Sequence, residues 1–260
     1  MRKNLIVGVV GDESVHRTWI NEPDLRTFDL CLIYYGPDKD RFAGDGDFYF
    51  ARQGIKFSLI HDLVHEQLGQ TLARYERVWI PDDDIACSTR QINQLFLLAE
   101  RHNLQISQPA IGQGTISYEA LRYHPGYRLR YTRFVEMMCP MFTLRAFSHS
   151  LSTFNENVSG WGLDWVWSHS QPRDQVAVID AVVANHTRPL NSGGVYRRFA
   201  AMGVNPDLEG RNLCRKYGVR LKRRHRALRK DTARLRAITT EGRRVWTRPL
   251  WPGLSAKRAA

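Results

Sequence analysis

The chain has 260 residues, of which 43% are hydrophobic, 11% aromatic and 25% charged, a balance that suits one large or two small folded domains and excludes collagen-like, mucin-like and wholly disordered chains. The formal charge of +12 is divided unevenly: residues 211–260 hold 17 Lys and Arg against only Asp231 and Glu241, a net +15 that leaves residues 1–210 at −3. A mildly acidic body therefore carries a basic extension, and function is to be sought in both.

In chain order, Asn4 to Val10 reads as a first buried strand. Its apolar run is far short of the ~20 residues needed to cross a bilayer and breaks at once into Gly11-Asp12-Glu13, so neither a membrane span nor a secretory signal is expected. Asp29 to Tyr35 is a second strand, stopped by Gly36-Pro37-Asp38. Ile55 to Tyr75 places Phe57, Ile60, Leu63, Val64, Leu68 and Leu72 near helical spacing and predicts a helix packed on a sheet. Arg77 to Ile80 is a short strand ended by Pro81-Asp82-Asp83-Asp84, and Ser88 is the cap of a helix from about Thr89 to Arg101. Leu104 to Ser107 returns as a strand, and Gly112 to Tyr131 is read as loops. Phe134 to Phe142 is a strand, a helix runs through Phe147 and Leu151, Val176 to Val183 is another strand, and Asn185 to Gly194 is loop. Alternating strands and helices predict an α/β fold with a mixed, mostly parallel sheet flanked by helices. Beyond Asp207, Leu213, Tyr217, Leu221, Leu228 and Leu235 recur at steps of four and seven among Arg and Lys, which predicts a basic amphipathic helix. The scattered cysteines Cys31, Cys87, Cys139 and Cys214, with no CxxC pair, suit a reducing compartment, and a cytoplasmic location is expected.

Three groups of residues carry possible chemistry. Asp82-Asp83-Asp84 follows the apolar Val78-Trp79-Ile80, and carboxylates at the C-terminal edge of a strand lie where open α/β sheets place ligands. Hard oxygen donors one residue apart suit Mg²⁺ or Mn²⁺ bridging a diphosphate; the bland alternative is a solvated acidic turn. In Ser159-Gly160-Trp161-Gly162-Leu163-Asp164-Trp165, two glycines allow close backbone approach, and a carboxylate beside an indole can bind a sugar hydroxyl and remove its proton, unless these tryptophans simply fill the core. The third is His186, just beyond the Val176 to Val183 strand, where a surface histidine is the plain reading.

The order of Tyr75-Glu76-Arg77-Val78-Trp79-Ile80-Pro81-Asp82-Asp83-Asp84, Leu104 to Ala110, Phe134 to Phe142, Gly160-Trp161-Gly162-Leu163-Asp164, Val178-Ile179-Asp180 and His186 resembles the family catalogued as domain of unknown function 707, over about residues 29–190. That family is similar to the GT-A nucleotide-sugar glycosyltransferases. The resemblance implies that Asp82 and Asp84 form a DxD motif binding metal and donor, that His186 completes the metal shell, and that Asp164 is the acceptor-side carboxylate. It departs from the family in Pro81, where an aromatic residue is usual, and in Asp83, where Glu is frequent.

The expected organisation is a GT-A-like catalytic domain over residues 1–208, a basic helical extension over 209–248 and a flexible tail over 249–260. The expected reaction is sugar transfer from a nucleotide-diphosphate donor to a carbohydrate or glycolipid hydroxyl, with Mn²⁺ or Mg²⁺ as cofactor. Asp82 and Asp84 hold the ion with His186; Asp82, Asp83 and Lys56 face the donor; Trp161, Glu136 and Asp164 face the acceptor, with Asp164 as the general base of an inverting reaction. Residues 211–251, with Trp246 and Trp251, suggest an anionic membrane surface as a further partner, at the inner face of a membrane, with nucleic acid least favoured. The rival reading is a noncatalytic GT-A-like protein docked through its basic helix to nucleic acid or an acidic partner.

Overall fold

The computed structural model describes residues 2–189 and 194–247. In chain order the elements are β1 (Asn4–Val10), β2 (Phe28–Tyr34), β3 (Phe48–Ala51), α1 (Lys56–Leu63), α2 (Gly69–Leu72), β4 (Arg77–Trp79), β5 (Ile85–Ala86), α3 (Thr89–Arg101) and β6 (Ile106–Ile111). They continue with β7 (Tyr127–Tyr131), β8 (Met141–Thr143), α4 (Leu144–Leu151), α5 (Leu163–Ser170), β9 (Val176–His186), α6 (Gly194–Ala201), α7 (Pro206–Lys216), α8 (Lys222–Arg229), β10 (Arg236–Thr239) and β11 (Arg244–Trp246). The sheet order is β11-β10-β7-β9-β6-β8-β4-β1-β2-β3, with β5 pairing β9 off that path. β1, β2, β3, β4, β6, β9 and β10 run in one direction and β7, β8 and β11 in the other. The fold is thus α/β, with a mixed, mostly parallel sheet flanked by helices.

β1 shows why the centre of this sheet is an apolar run rather than an alternating one: both faces are covered. Leu5, Val7 and Val9 pack with Phe57, Ile60, Phe147 and Trp167 on one side. Ile6 and Val10 pack with Trp19, Ile92, Leu95 and Phe96 on the other. α3 begins as expected, with Ser88 and Gln91 forming a reciprocal capping box. The helix predicted over Ile55 to Tyr75 is present as α1 and α2, joined by a π turn at Val64–Leu68.

Two expectations between residues 104 and 142 are corrected. Gly112 to Tyr131 is not all loop, since β7 pairs with β9; its inward residue Arg130 is charged, which hides the alternation, and its burial is compensated by Asp180 at 2.8 and 2.9 Å and by the Ala120 and Arg122 carbonyls. Conversely, only Met141–Thr143 of the predicted Phe134 to Phe142 strand pairs as strand. Val135 N–H donates to Ser168 Oγ and Glu136 N–H to Gln108 Oε1, so side chains replace a ladder there.

The basic extension is also corrected. It is not one amphipathic helix: α7 ends before Gly218, whose φ of +67° is left-handed, α8 follows, and beyond Asp231 (φ 48°) the chain returns as β10 and β11 to extend the main sheet. Its leucines are used inside the protein. Leu213 joins the core on the α1 face, and Leu228 packs with Tyr118, Phe134 and Trp165. The apolar face proposed for a membrane is therefore largely consumed by the body of the protein. Trp251 and the 249–260 tail lie outside the described residues. Within those residues, no helix is long and apolar enough to cross a membrane.

Candidate active site

The neighbours of β1 are β2, which leads to β3, on one side and β4 on the other, so the chain order reverses between β1 and β4. In an open α/β sheet, the carboxyl ends of strands at such a reversal border a crevice that receives ligands. Asp82-Asp83-Asp84 leaves β4 at this point, with Asp82 bridged to Val9 of β1. The turn is held from three sides: Asp82 N–H donates to Met138 O at 2.7 Å, Val15 N–H to Asp83 O at 2.8 Å and Thr187 N–H to Asp84 O at 2.9 Å.

The three carboxylates have different partners. Asp82 Oδ1 accepts from Lys56 Nζ at 2.6 Å, and burial, opposed by Lys56 and aided by Asp84, pushes its carboxyl up to about 6. Asp83 accepts from Gly11 N–H at 2.9 Å, from the Tyr35 hydroxyl at 3.2 Å and from Arg188 Nη2. Asp84 Oδ2 accepts from Arg188 Nε at 3.1 Å and faces His186 Nε2 at 3.2 Å, while its Oδ1 is buried without a hydrogen-bond partner. Burial disfavours the Asp84 anion, but the hydrogen bond and charge of His186, with Arg188, outweigh it and hold this carboxyl below its ordinary range. Burial likewise opposes the His186 cation, yet Asp84 and the Thr115 carbonyl raise its pKa.

Two donor-side assignments change. Lys56 Nζ donates to Asp82, to Ile80 O at 3.1 Å and to Met137 O at 3.0 Å, so its three N–H groups are engaged within the protein and it positions Asp82 instead of reaching out to a phosphate. Asp83, only 7% exposed, ties β1, Tyr35 and Arg188 together in place of meeting the donor.

Among the described residues, no group of three or more His, Cys, Asp and Glu side chains converges as a metal cage. The fit of a divalent ion rests on a smaller set. His186 Nδ1 is 2.8 Å from Thr115 O, a contact that commits Nδ1 as donor and leaves Nε2 beside Asp84. Asp84, with its unpartnered Oδ1, and His186 thus offer two ligands, which suffices for ions that draw their remaining ligands from water and phosphate oxygens. Gly114 makes this possible: at φ +92°, a Cβ there would lie 1.9 Å from His186 O.

The residues expected on the acceptor side lie near the same turn, since the carbonyls of Met137 and Met138, next to Glu136, accept from Lys56 and Asp82. Gly162, at φ +93°, starts α5 and touches α7, since its Cβ would stand 2.9 Å from Gly210 O. Asp164, in the first turn of α5, accepts from Trp165 N–H at 2.8 Å. Glu136 is held by its N–H to Gln108, and its Oε2 is buried without a partner. Burial pushes Asp164 up to about 7, with the Glu136 charge adding to the shift. Burial pushes Glu136 up to about 7 as well, with Asp82 adding and a Ser117 hydrogen bond opposing. The half-buried Trp161 is hydrogen-bonded to the Tyr196 hydroxyl, whose own pKa is raised by burial and by Asp82 and Glu136.

Sequence reasoning missed Arg188, Tyr35, Tyr196 and the Gly11 amide. Arg188 stands two residues after His186, and a cation so close to a candidate ligand was its one signal. Gly11 directly follows β1, the usual place for a loop amide facing a ligand.

No family model and no curated protein matches this chain. Among solved structures it is similar to S. aureus TarS, with a TM-score of 0.47 and 11% identity, covering 82% of this chain and 41% of that one. It is likewise similar to S. aureus TarS 1-349, with the same TM-score and identity, covering 82% of this chain and 68% of the other. The chain thus spans less than half the length of the first of these.

Proposed function

We propose that the chain is a metal-dependent glycosyltransferase of the GT-A type, a member of the family it resembles, moving a sugar from a nucleotide-diphosphate donor to a carbohydrate or glycolipid hydroxyl. One juxtaposition carries this reading: a carboxylate cluster at the strand-order reversal, tied to Lys56, Arg188 and His186, adjoins a buried Glu136–Asp164 pair pushed up to about 7. The first half suits the charge of a diphosphate, the second a proton moving near neutral pH.

Asp84 and His186 would hold Mn²⁺ or Mg²⁺, with Asp82 contributing directly or through water; when bound, the ion offsets the charge of the departing diphosphate. Arg188, already hydrogen-bonded to Asp83 and Asp84, offers a guanidinium at that end of the crevice for the diphosphate once the ion takes up part of the carboxylate charge. In an inverting transfer, Asp164 takes the proton of the acceptor hydroxyl as its oxygen bonds to the anomeric carbon and the bond from that carbon to the diphosphate oxygen breaks. Trp161 presents an apolar ring for the sugar face, and burial, with the Glu136 charge adding, holds the Asp164 carboxyl in the range where it exchanges a proton.

A panel of nucleotide sugars with Mn²⁺ or Mg²⁺, followed by donor hydrolysis and by nucleotide-diphosphate binding, tests this. One donor is expected to be bound and slowly hydrolysed with metal. Absence of donor binding across the panel favours the noncatalytic alternative.

A further inference from the structure

β9 enters the sheet at Val176 and reaches the crevice at His186, and with its irregularity between Ile179 and Val183 about seven regular steps of about 3.3 Å put its two ends roughly 20–25 Å apart. At the entry end, far from the crevice, two adjoining cavities of about 350 and 510 Å³ lie between Tyr131, the β10–β11 hairpin and the turn before β9. The larger has an apolar floor of Leu228, Ala233 and Leu235, and Arg133, Arg173, Arg234 and Arg236 line it. Trp246 borders both cavities and is 58% exposed; Arg244 and one carboxylate, Asp174, line the smaller.

Other arginines of this protein meet carboxylates, as Arg2, Arg90 and Arg130 do, or backbone carbonyls, as Arg77 and Arg128 do. Among the described residues, no ion pair involves Arg133, Arg173, Arg234, Arg236 or Arg244. Arg133 Nε is buried without a hydrogen-bond partner, and burial together with the Arg173 charge pulls this guanidinium below its ordinary value. A buried N–H without an acceptor, among like charges around a concavity, is costly unless an anion supplies acceptors and charge. The segment 248–260 contains Arg248, Lys257 and Arg258 and no Asp or Glu. Guanidinium forks match pairs of phosphate oxygens, whereas the apolar floor and exposed indole suit the organic part of the same ligand.

We propose that this groove is a second anion site, separate from the crevice, that takes a phosphate-bearing ligand. The phosphate is either a lipid headgroup or a soluble phosphoryl group, and the test separates the two. With the full chain, binding of inorganic pyrophosphate is measured by calorimetry, and binding to phosphatidylcholine vesicles with and without phosphatidic acid by sedimentation. Wild type is compared with the double variant Arg133→Gln, Arg173→Gln, and with Arg236→Gln, an exposed position that keeps the test valid if the pair disturbs folding. The expected result is salt-sensitive binding of at least one phosphate probe, weakened about tenfold or more by the substitutions, with Mn²⁺-dependent nucleotide binding unchanged. The phosphate probe should raise the Tm of wild type and not that of the double variant. Measured without added divalent metal, binding to phosphatidic acid vesicles alone assigns the lipid headgroup, and pyrophosphate binding that the substitutions weaken assigns the soluble source. Equal affinity in wild type and variants, no binding of either probe, or preference for single-stranded RNA over both overturns the proposal.

Discussion

Asp82 and Asp84 sit beside cations, whereas Glu136 and Asp164, against the same crevice, have no Lys, Arg or His in salt-bridge contact among the described residues. Burial presses on both groups, so burial does not distinguish them; the partners do. Asp84 stays below its ordinary range because His186 and Arg188 outweigh burial, and Asp82, with Lys56 against burial and a neighbouring carboxylate, ends at about 6. Glu136 and Asp164 rise to about 7. In one crevice, a carboxylate held below its ordinary range by its cations therefore adjoins two carboxyls that burial pushes up to about 7.

The largest expected effect breaks the acceptor half alone. Asp164→Asn preserves shape and removes the base, so transfer should fall by ~10²–10⁴-fold while metal-dependent donor affinity is retained, measured by initial rates beside calorimetry. Lost donor binding with retained transfer would place Asp164 on the wrong side. Next is Leu228→Ala. Leu228 is 2% exposed against Trp165, the residue following Asp164, so the substitution should cost ~2–4 kcal/mol in denaturant unfolding and raise the acceptor KM more than the donor Kd. For the same reason a chain ending near Asp207 should lose stability, since it also lacks Glu209, whose carboxylate accepts from the Val158 and Ser159 N–H groups at 3.2 and 2.8 Å.

That C-terminal contribution marks where the sequence ceased to be legible. β1, β2, β4, α3 and the acidic turn could be read because apolar runs, a Ser88 cap and Pro81 are local signals. β7 and β10 could not: one buries Arg130 through a distant Asp180, and the other is a four-residue strand among arginines whose partner lies about 110 residues earlier. The leucine periodicity beyond Asp207 was real, but periodicity records that a face is buried and not what covers it. At the site, Asp82, Asp84, His186, Glu136 and Asp164 were all named from sequence, and the structure brings them near one another. Lys56 was named too, but for a donor phosphate: its contact with Asp82 spans 26 residues of sequence, and the contacts of Arg188, which was not named, span 105 and 104 to Asp83 and Asp84.

Asp84→Ala breaks the donor half. It removes the carboxylate that His186 and Arg188 share, at a position that contributes little to the core, so Mn²⁺-dependent nucleotide-diphosphate affinity should fall by ~10–100-fold with unfolding still cooperative. Unchanged metal and donor affinity would remove the donor-side assignment.

The smallest effect is the most specific to the comparison. Glu136 has an ordinary value of 4.5 and is pushed up to about 7 in the folded chain, chiefly by burial. Below about pH 4.5 both folded and unfolded chains hold its proton. Between there and about 7 the unfolded chain releases the proton while the folded chain keeps it, so stability falls as pH rises and levels off above 7. Glu136→Gln removes that loss without removing the shape. The variant should match wild type near pH 4.5 and exceed it by ~1–3 kcal/mol at pH 8, in urea unfolding at matched ionic strength. Because the Glu136 charge also raises Asp164, the same substitution should move the rising limb of the transfer-rate profile below its position near pH 7. A stability difference that does not grow with pH would mean that the Glu136 carboxyl is not raised in the folded chain, and an unmoved rate profile would mean that its charge does not act on Asp164.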